Sequence, residues 1–364
     1  MKSINFSECL SIRILPDLCA PNLEILDISY CKNLIEIHEA IGSLDKLKSW
    51  NLMGCKKLQT LCSSFRLKSL ESISLHSCIS LEKLPDLCAP NLQSLELDYC
   101  ENLVEVHEAI GSLDKLKRWY LRGCIKLRTL CSSFRLKSLE HISLHSCVSL
   151  EKLPDLCAPN LQILELRCCE NLIEVYEAIG SLDKLVSFSL TDCKKLQILP
   201  NTLRSKSLGR LDLDGCISLE NFPNIHPETE LEDLSFSEIN IREWPLSPGY
   251  LISGLGKFMN LKVLHVGGSD GNIIESHILT KPDSFPSLTE LLMEGSNIVT
   301  IPKSIIRFTT LERLYMDGCK SLREIPRLPQ SIRRVDALDC TSLDLPSSYR
   351  ILNHVSSLPF FLYM

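Results

Sequence analysis

Three consecutive stretches of the sequence share one pattern: LEILDISYCKNLIEI (residues 23–37), LKSWNLMGCKKLQTLC (47–62) and LESISLHSCISLEKLP (70–85). Each has apolar residues at positions one, four, six and twelve and a cysteine at position nine. Because positions four and six alternate with mostly polar neighbours, this part of each stretch predicts a short β-strand with one buried face. A single stretch cannot bury its own apolar side chains, so successive repeats must stack on one another.

The same pattern recurs along nearly the whole chain, in the form L-x-x-L-x-L-x-x-C-x-x-L-x-x-L-P of a leucine-rich repeat. We therefore predict an α/β solenoid, a leucine-rich-repeat horseshoe of about 15 repeats. Its strands should form one parallel sheet on the concave side, and its convex side should be mostly irregular or 3-10 helical. The predicted repeats begin at Met1, Leu23, Leu47, Leu70, Leu92, Leu116, Leu139, Leu161, Leu185, Leu208, Leu231, Leu261, Leu288, Leu311 and Ile332.

A larger repeat of 69 residues is superimposed on this one, in blocks at 22–90, 91–159 and 160–228. The first two blocks match at 54 of 69 positions, and the second and third match at 36. We assign residues 1–345 to the array, with irregular repeats at 246–286, and residues 346–364 to a truncated post-repeat tail. The first repeat begins at Met1 with no polar capping segment before it. We therefore expect the natural protein to continue upstream, or the chain to be a fragment.

Composition narrows the possible functions. The chain has 364 residues, 45% hydrophobic and 23% charged, and 39 Lys and Arg against 45 Asp and Glu give a net charge of −6. Because this balance is mildly acidic, nucleic acid is not an expected partner. No apolar run is long enough to span a membrane, and the N-terminus lacks the features of a secretory signal. We expect the protein to work in the cytoplasm or the nucleus.

The 18 cysteines have a structural explanation. In a reducing compartment they should be thiols, and most occupy position nine, where a small buried side chain with an S–H donor can face backbone carbonyls. The absence of any C-x-x-C pair argues against a metal site, and we predict no cofactor, no metal and no catalytic residues. The predicted cysteine ladder comprises Cys31, Cys55, Cys78, Cys100, Cys124, Cys147, Cys169, Cys193 and Cys216.

The differences between the first two blocks point to a binding surface. Positions three, five, seven and eight of each repeat should face the concave side and make up 12 of the 69 positions. They carry seven of the 15 differences, where uniform drift would place between two and three. Outer-surface residues such as Asp45/Asp114 and Lys46/Lys115 are unchanged. The seven pairs are Ile25/Ser94, Asp27/Glu96, Ser29/Asp98, Ser49/Arg118, Asn51/Tyr120, Met53/Arg122 and Ser72/His141.

These positions supply the candidate binding residues. Tyrosine and arginine provide much of the energy of protein interfaces, so a central group rich in both could anchor a partner. Carboxylates towards the C-terminus would attract a basic surface. The candidates on the concave face are Tyr99, Arg118, Tyr120, Arg122, His141, Glu165, Arg167, Asp212, Asp214 and Asp317.

Several segments resemble one family. LERLYMDGCKSLREIP (311–326), the shorter form LTELLMEGSNIVTIP (288–302) and the linker LPDLCAPNLE (15–24) are similar to repeats of plant TIR–nucleotide-binding–leucine-rich-repeat disease resistance proteins. The resemblance implies recognition of a pathogen effector or a guarded host protein, with a contribution to autoinhibition. Such receptors also carry TIR and nucleotide-binding domains, which would be partners of this region in a longer chain. No G-x-x-x-x-G-K-[ST] motif occurs here, so their activities are not assigned to these residues.

An alternative reading remains open: a stand-alone cytoplasmic leucine-rich-repeat scaffold or decoy in signal transduction. Both readings predict a protein partner, with no nucleic acid or membrane, and neither predicts an enzyme.

Overall fold

The computed structural model describes residues 1–61, 65–130, 135–226, 228–239, 258–268 and 278–356. Backbone contacts divide the chain into two compact parts, the N-terminal unit (Met1–Ser205) and the C-terminal unit (Lys206–Met364). The strands described below confirm the predicted parallel leucine-rich-repeat solenoid, because a strand begins two residues after every predicted repeat start.

In the described residues of the N-terminal unit there are nine three-residue strands, one for each predicted repeat. They pair in parallel and in chain order, so each repeat adds one strand beside the previous one. The strands are β1 (Ser3–Asn5), β2 (Ile25–Asp27), β3 (Ser49–Asn51), β4 (Ser72–Ser74), β5 (Ser94–Glu96), β6 (Arg118–Tyr120), β7 (His141–Ser143), β8 (Ile163–Glu165) and β9 (Ser187–Ser189).

The middle residue of each strand explains why the ladder has this register. Leu26 of β2 lies opposite Trp50 of β3, and Leu95 of β5 lies opposite Trp119 of β6. All four side chains are buried. Because side chains alternate along a strand, the first and third residues then point to the opposite face. The apolar core therefore fixes which residues of each strand lie on the outward face of the sheet.

The segments that return from one strand to the next are mostly irregular. Each 69-residue block forms a 3-10 helix at the same sequence EAIGS, in Glu39–Ser43, Glu108–Ser112 and Glu177–Ser181. The imidazoles of His38 and His107 accept the hydrogen bond that caps the first two of these helices. Two-residue strands complete the returning side of the unit at Ile14–Leu15, Glu36–Ile37, Lys83–Leu84, Glu105–Val106 and Thr202–Leu203.

The C-terminal unit repeats the pattern with six three-residue strands in its described residues, again parallel and in chain order. They are β10 (Arg210–Asp212), β11 (Asp233–Ser235), β12 (Val263–His265), β13 (Glu290–Leu292), β14 (Arg313–Tyr315) and β15 (Arg334–Asp336). The returning segments include Asn224–Ile225 as a strand and Pro282–Ser284 and Lys303–Arg307 as 3-10 helices. Of the predicted irregular repeats at 246–286, residues 246–257 and 269–277 lie outside the described residues.

The segment assigned to a tail forms a helix, α1 (Leu345–Ser356). The backbone N–H of Ile325 donates a 2.9 Å hydrogen bond to Ser347 Oγ, and Ser347 is fully buried. The start of the helix therefore packs against the preceding repeats. Residues 357–364 of the predicted tail lie outside the described residues. In the described part of the chain, no helix has the length and apolar character needed to cross a membrane.

Candidate protein-binding surface

We define the strand face as positions three, five, seven and eight of each repeat: the first and third residues of a strand and two residues just beyond it. The ladder aligns these positions in rows. Arg118 of β6 lies between Ser94 of β5 and His141 of β7. The predicted residues from Tyr99 to Arg167 therefore come from four neighbouring strands, β5 to β8, and the turns that follow them.

Arg122 is held in place by Asp98 of the preceding repeat. Its Nη2 and Nε donate to Asp98 Oδ2 at 2.6 and 3.0 Å, and its backbone N–H donates to Asp98 Oδ1 at 2.8 Å. Asp98 is only 3% exposed, so its buried carboxylate depends on Arg122 as a hydrogen-bonding partner. The hydrogen bond to Asp98 also raises the pKa of Arg122. On its other side, the guanidinium carbon lies 5.7 Å from the centroid of the Tyr120 ring.

Two tyrosines lie against glycines of the next repeat. Tyr99 is 48% exposed with φ 58°, and a Cβ at Gly123 would lie 2.7 Å from its ring. Tyr30 has the same arrangement on Gly54, again with 2.7 Å to a hypothetical Cβ. Both glycines have φ near +70°, a region that favours glycine. His76 contacts the Tyr99 ring edge-on, with centroids 5.4 Å apart.

A second set of contacts continues from Tyr120. Its ring meets the imidazole of His141 edge-on at 5.1 Å between centroids. The imidazole Nε2 of His141 lies 3.5 Å from Glu165 Oε2, and this contact is the main cause that lowers the pKa of Glu165 to about 2. Ser143 and Arg167 lower the same pKa to a smaller extent.

Arg167 extends this set to β9, since its Nε donates a 2.9 Å hydrogen bond to Ser189 Oγ. Side chains of five neighbouring strands and their turns thus form one connected polar and aromatic surface, which we call the central network. Its members are Asp98, Arg122, Tyr120, His141, Glu165, Arg167 and Ser189.

Arg118 differs from its neighbour Arg122. It is exposed at the start of β6, and within the described residues no ion pair or hydrogen bond reaches its guanidinium. From their repeat positions alone, both arginines were predicted to contact a partner. The structure instead gives Arg122 an internal partner and leaves Arg118 available to an external one.

The three predicted aspartates lie in the C-terminal unit. Asp212 is only 5% exposed, so it offers little surface for contact. Asp214 accepts hydrogen bonds from Ser235 Oγ and the backbone N–H of Ser237, both at 2.5 Å, while burial raises its pKa. Asp317 lies at the end of β14, away from the other two in the ladder, and its Oδ1 accepts the Leu338 N–H at 2.7 Å. Asp214 and Asp317 thus already have partners within the protein.

The first two blocks also differ on exposed residues away from the strand face. Four of the remaining differences fall on exposed residues outside the strand face, so the expectation that the outer surface is unchanged is wrong there. Residues that do stay the same hold neighbouring repeats together: Lys46 Nζ donates to Asn22 Oδ1 at 2.6 Å, and Lys115 repeats this contact with Asn91 at 2.5 Å. The four exposed differences are Lys32/Glu101, Ile35/Val104, Lys56/Ile125 and Gln59/Arg128.

The predicted cysteine ladder forms a row of buried thiols in the N-terminal unit, from Cys31 to Cys193. Burial raises the pKa of Cys55 and Cys100 to about 12, which keeps these thiols protonated as donors. For Cys31, Cys55, Cys78, Cys100, Cys124, Cys147, Cys169 and Cys193, Sγ donates to a backbone carbonyl of the preceding repeat at 3.0–3.2 Å. The thiol of Cys216 in the C-terminal unit is likewise fully buried.

Sequence reasoning missed Asp98, Ser189 and Tyr30. A signal for Asp98 was available, because the pair Ser29 and Met53 in the first block changes together to Asp98 and Arg122 in the second. Ser189 and Tyr30 gave no such signal.

Across the described residues, no group of three or more His, Cys, Asp or Glu side chains is arranged to hold a metal ion.

Two plant disease resistance proteins resemble this chain in sequence. The chain is 30% identical over 369 aligned positions to disease resistance protein RPP4 of Arabidopsis thaliana, covering 92% of this chain and 30% of RPP4. It is 28% identical over 310 positions to TMV resistance protein N of Nicotiana glutinosa, covering 75% of this chain and 26% of that protein. The chain is a relative of the plant disease resistance proteins. This confirms the resemblance to repeats of the TIR–nucleotide-binding–leucine-rich-repeat class.

Other comparisons bear on the family and the fold. The protein SUPPRESSOR OF npr1-1, CONSTITUTIVE 1 of Arabidopsis thaliana is 34% identical over 233 positions, covering 58% of this chain and 16% of its own length. The chain thus spans between 16 and 30% of these three plant relatives. YopM from Yersinia enterocolitica shares the fold with a TM-score of 0.54 at 21% identity, covering 87% of this chain and 60% of that one. No family model matches the chain.

Proposed function

We propose that this chain is the protein-recognition region of a plant intracellular immune receptor. It binds a pathogen effector, or a host protein that effectors modify, on the strand face of the N-terminal unit. It also contributes to keeping the receptor inactive before that protein arrives. The relatives named as disease resistance proteins and the leucine-rich-repeat solenoid, a fold typical of protein-binding scaffolds, support this proposal.

The observation that carries the proposal is the coincidence of the central network with the sequence differences between the first two blocks. Asp98, Tyr120, Arg122 and His141 all belong to the network, and all four differ from their counterparts in the first block. The buried core beneath them is nearly unchanged. A surface whose side chains vary over a constant backbone is suited to recognition of particular protein partners.

The aspartates of the C-terminal unit take a secondary part in this proposal. Asp214 and Asp317 are half-buried and present carboxylates that attract a basic region of the partner. Asp212 contributes to the negative potential rather than to direct contact, because so little of it is exposed. The proposed site of action is the cytoplasm or the nucleus, with the nucleotide-binding and TIR domains as further partners where the chain is part of a longer receptor.

The experiment is a split-luciferase screen in plant leaves between the full chain and a panel of pathogen effectors and their host targets. Each positive pair is then retested with Arg118→Glu on the strand face and with Lys126→Glu, an exposed charge reversal in the same repeat but off that face. We expect Arg118→Glu to abolish the signal and Lys126→Glu to retain it. A screen without any positive, or a signal that survives Arg118→Glu and is lost with Lys126→Glu, contradicts the proposal.

A further inference from the structure

We propose that the strand face of the N-terminal unit contains two subsites that bind one continuous segment of the partner protein. An apolar subsite lies at Ile25, and a carboxylate-binding subsite lies at Arg118. This inference rests on the proposed function, since it specifies the chemistry of the partner recognised there.

We place the apolar subsite on Ile25 at the start of β2, with Tyr30 and Met53 in the turns that follow β2 and β3. Ile25 is 49% exposed and Tyr30 is 44% exposed, although both are large and apolar. The Tyr30 hydroxyl lies 3.2 Å from Met53 Sδ, and its ring lies against Gly54, so the ring has a fixed orientation. The nearby carboxylate of Asp27 already accepts the Ser29 N–H at 2.9 Å. This surface suits an aliphatic or aromatic side chain of the partner.

The carboxylate subsite is formed by Arg118 with Tyr120 beside it. Among the strand-face arginines of the N-terminal unit, Arg122 is paired with Asp98 and Arg167 is bonded to Ser189, whereas Arg118 has no such partner in the described residues. An arginine presents planar N–H donors that match both oxygens of a carboxylate. The ring of Tyr120 is a neighbouring surface against which the partner can exclude water.

One feature could favour a basic partner instead, namely Glu96 on the adjacent strand. Glu96 is half-buried, and the first block has a carboxylate at the same place in Asp27. Only the second block has a positive charge beside this carboxylate, because the first block has Ser49 where the second has Arg118. The feature that distinguishes the second block is therefore an exposed positive charge. Charge complementarity then calls for an acidic side chain on the partner.

The ladder also sets the distance between the subsites. Ile25 begins β2 and Arg118 begins β6 in the same row of the ladder, so four strand spacings separate them. At ~4.8 Å per spacing, the subsites are about 19 Å apart along the sheet. An extended peptide rises ~3.3 Å per residue, so about six residues join the two contacts. The predicted ligand is an extended segment with an apolar residue and an Asp or Glu about six positions apart.

The experiment uses a phage-displayed library of dodecapeptides, selected on the full chain and sequenced. We expect enrichment of peptides with an apolar residue and an acidic residue about six positions apart. The affinity of the most enriched peptide is then measured with four variants. Arg118→Ser and Ile25→Ser each introduce the residue that the other block carries at that position, so the fold is kept. Glu96→Gln removes the competing charge, and Lys126→Gln is the control outside the strand face.

We expect Arg118→Ser and Ile25→Ser each to weaken binding about tenfold or more. Glu96→Gln should strengthen binding, and Lys126→Gln should leave it unchanged. The opposite signs, with Glu96→Gln weakening and Arg118→Ser strengthening binding, would show a basic ligand and overturn the inference. A selection that enriches no peptides with acidic residues would also overturn the inference. Arg118→Ser and Ile25→Ser could leave peptide affinity unchanged while Arg118→Glu still abolishes binding in the effector screen. That result would overturn the inference but leave the proposed function standing.

Discussion

The first two 69-residue blocks have nearly the same core and quite different binding faces. Both stack a tyrosine on a glycine, Tyr30 on Gly54 and Tyr99 on Gly123, and both use a tryptophan as the middle residue of the following strand. Around these constant elements the first block is largely uncharged, whereas the second carries the ion pair between Asp98 and Arg122 and the exposed Arg118. The difference shows that the fold is maintained by positions that point inward. Positions that point outward can change chemistry without moving the backbone.

The first prediction concerns the core that the two blocks share and has the largest effect on the free energy of unfolding. Trp50→Ala and Trp119→Ala should each destabilise the protein by about 3–5 kcal/mol, because both side chains are buried. Since the two sites have equivalent positions, their costs should agree within about 1 kcal/mol. Urea unfolding of the full chain followed by far-UV circular dichroism measures both. A cost several-fold smaller for one tryptophan would show that the blocks do not share a core.

The second prediction concerns the pair that distinguishes the blocks. Arg122→Met alone leaves the buried Asp98 carboxylate without its main partner and should cost about 1–3 kcal/mol. The double change Asp98→Ser with Arg122→Met restores the combination found in the first block, Ser29 with Met53. Its stability should return to within about 1 kcal/mol of the wild type. If the double variant is no more stable than Arg122→Met, the two residues do not act as a unit.

The third prediction tests why the stacked tyrosines need glycine beneath them. Gly123→Ala places a methyl group 2.7 Å from the Tyr99 ring, at a φ of +70°. Gly295→Ala has nearly the same φ, +67°, with open space around the added carbon, and so measures the backbone cost by itself, about 1–2 kcal/mol. Gly123→Ala and Gly54→Ala should exceed that control, as measured by urea unfolding. Equal costs at all three glycines would mean that the rings move aside freely.

The smallest effect is a pH dependence. The folded-state pKa of Glu165 is lowered to about 2 from 4.5, chiefly by His141, so its charged form stabilises the fold above pH 4.5. That contribution is lost as the pH falls from 4.5 towards 2. Because the side chain is about one-third exposed, Glu165→Gln should cost only about 0.5–1 kcal/mol at pH 6 and nothing near pH 2.

Glu96→Gln, at the same repeat position without a histidine partner, is the control for this measurement. Urea unfolding at several pH values compares the two variants with the wild type. A difference between Glu165→Gln and wild type that does not shrink below pH 4.5 would contradict the assignment.

The sequence could predict the strand ladder because its signal is repeated at every turn. In the described residues, each three-residue strand begins where the spacing of the apolar repeat positions predicted it. The repeat pattern did not predict which side chains of the strand face pair with one another. Arg118 and Arg122 occupy the same strand face four residues apart, and only the buried carboxylate of Asp98 separates their roles. The helix at Leu345–Ser356 was also missed, because it follows the last repeat and has no counterpart in the blocks.

We propose that the strand face of the N-terminal unit recognises the partner while the core only supports this face. The most direct test replaces the seven differing strand-face residues of the second block with those of the first: Ser94→Ile, Glu96→Asp, Asp98→Ser, Arg118→Ser, Tyr120→Asn, Arg122→Met and His141→Ser. Binding of this variant to an effector or host target identified in the screen is measured beside its urea unfolding curve. We predict an unfolding curve close to that of the wild type and complete loss of binding. Unchanged affinity in a folded variant would contradict the claim.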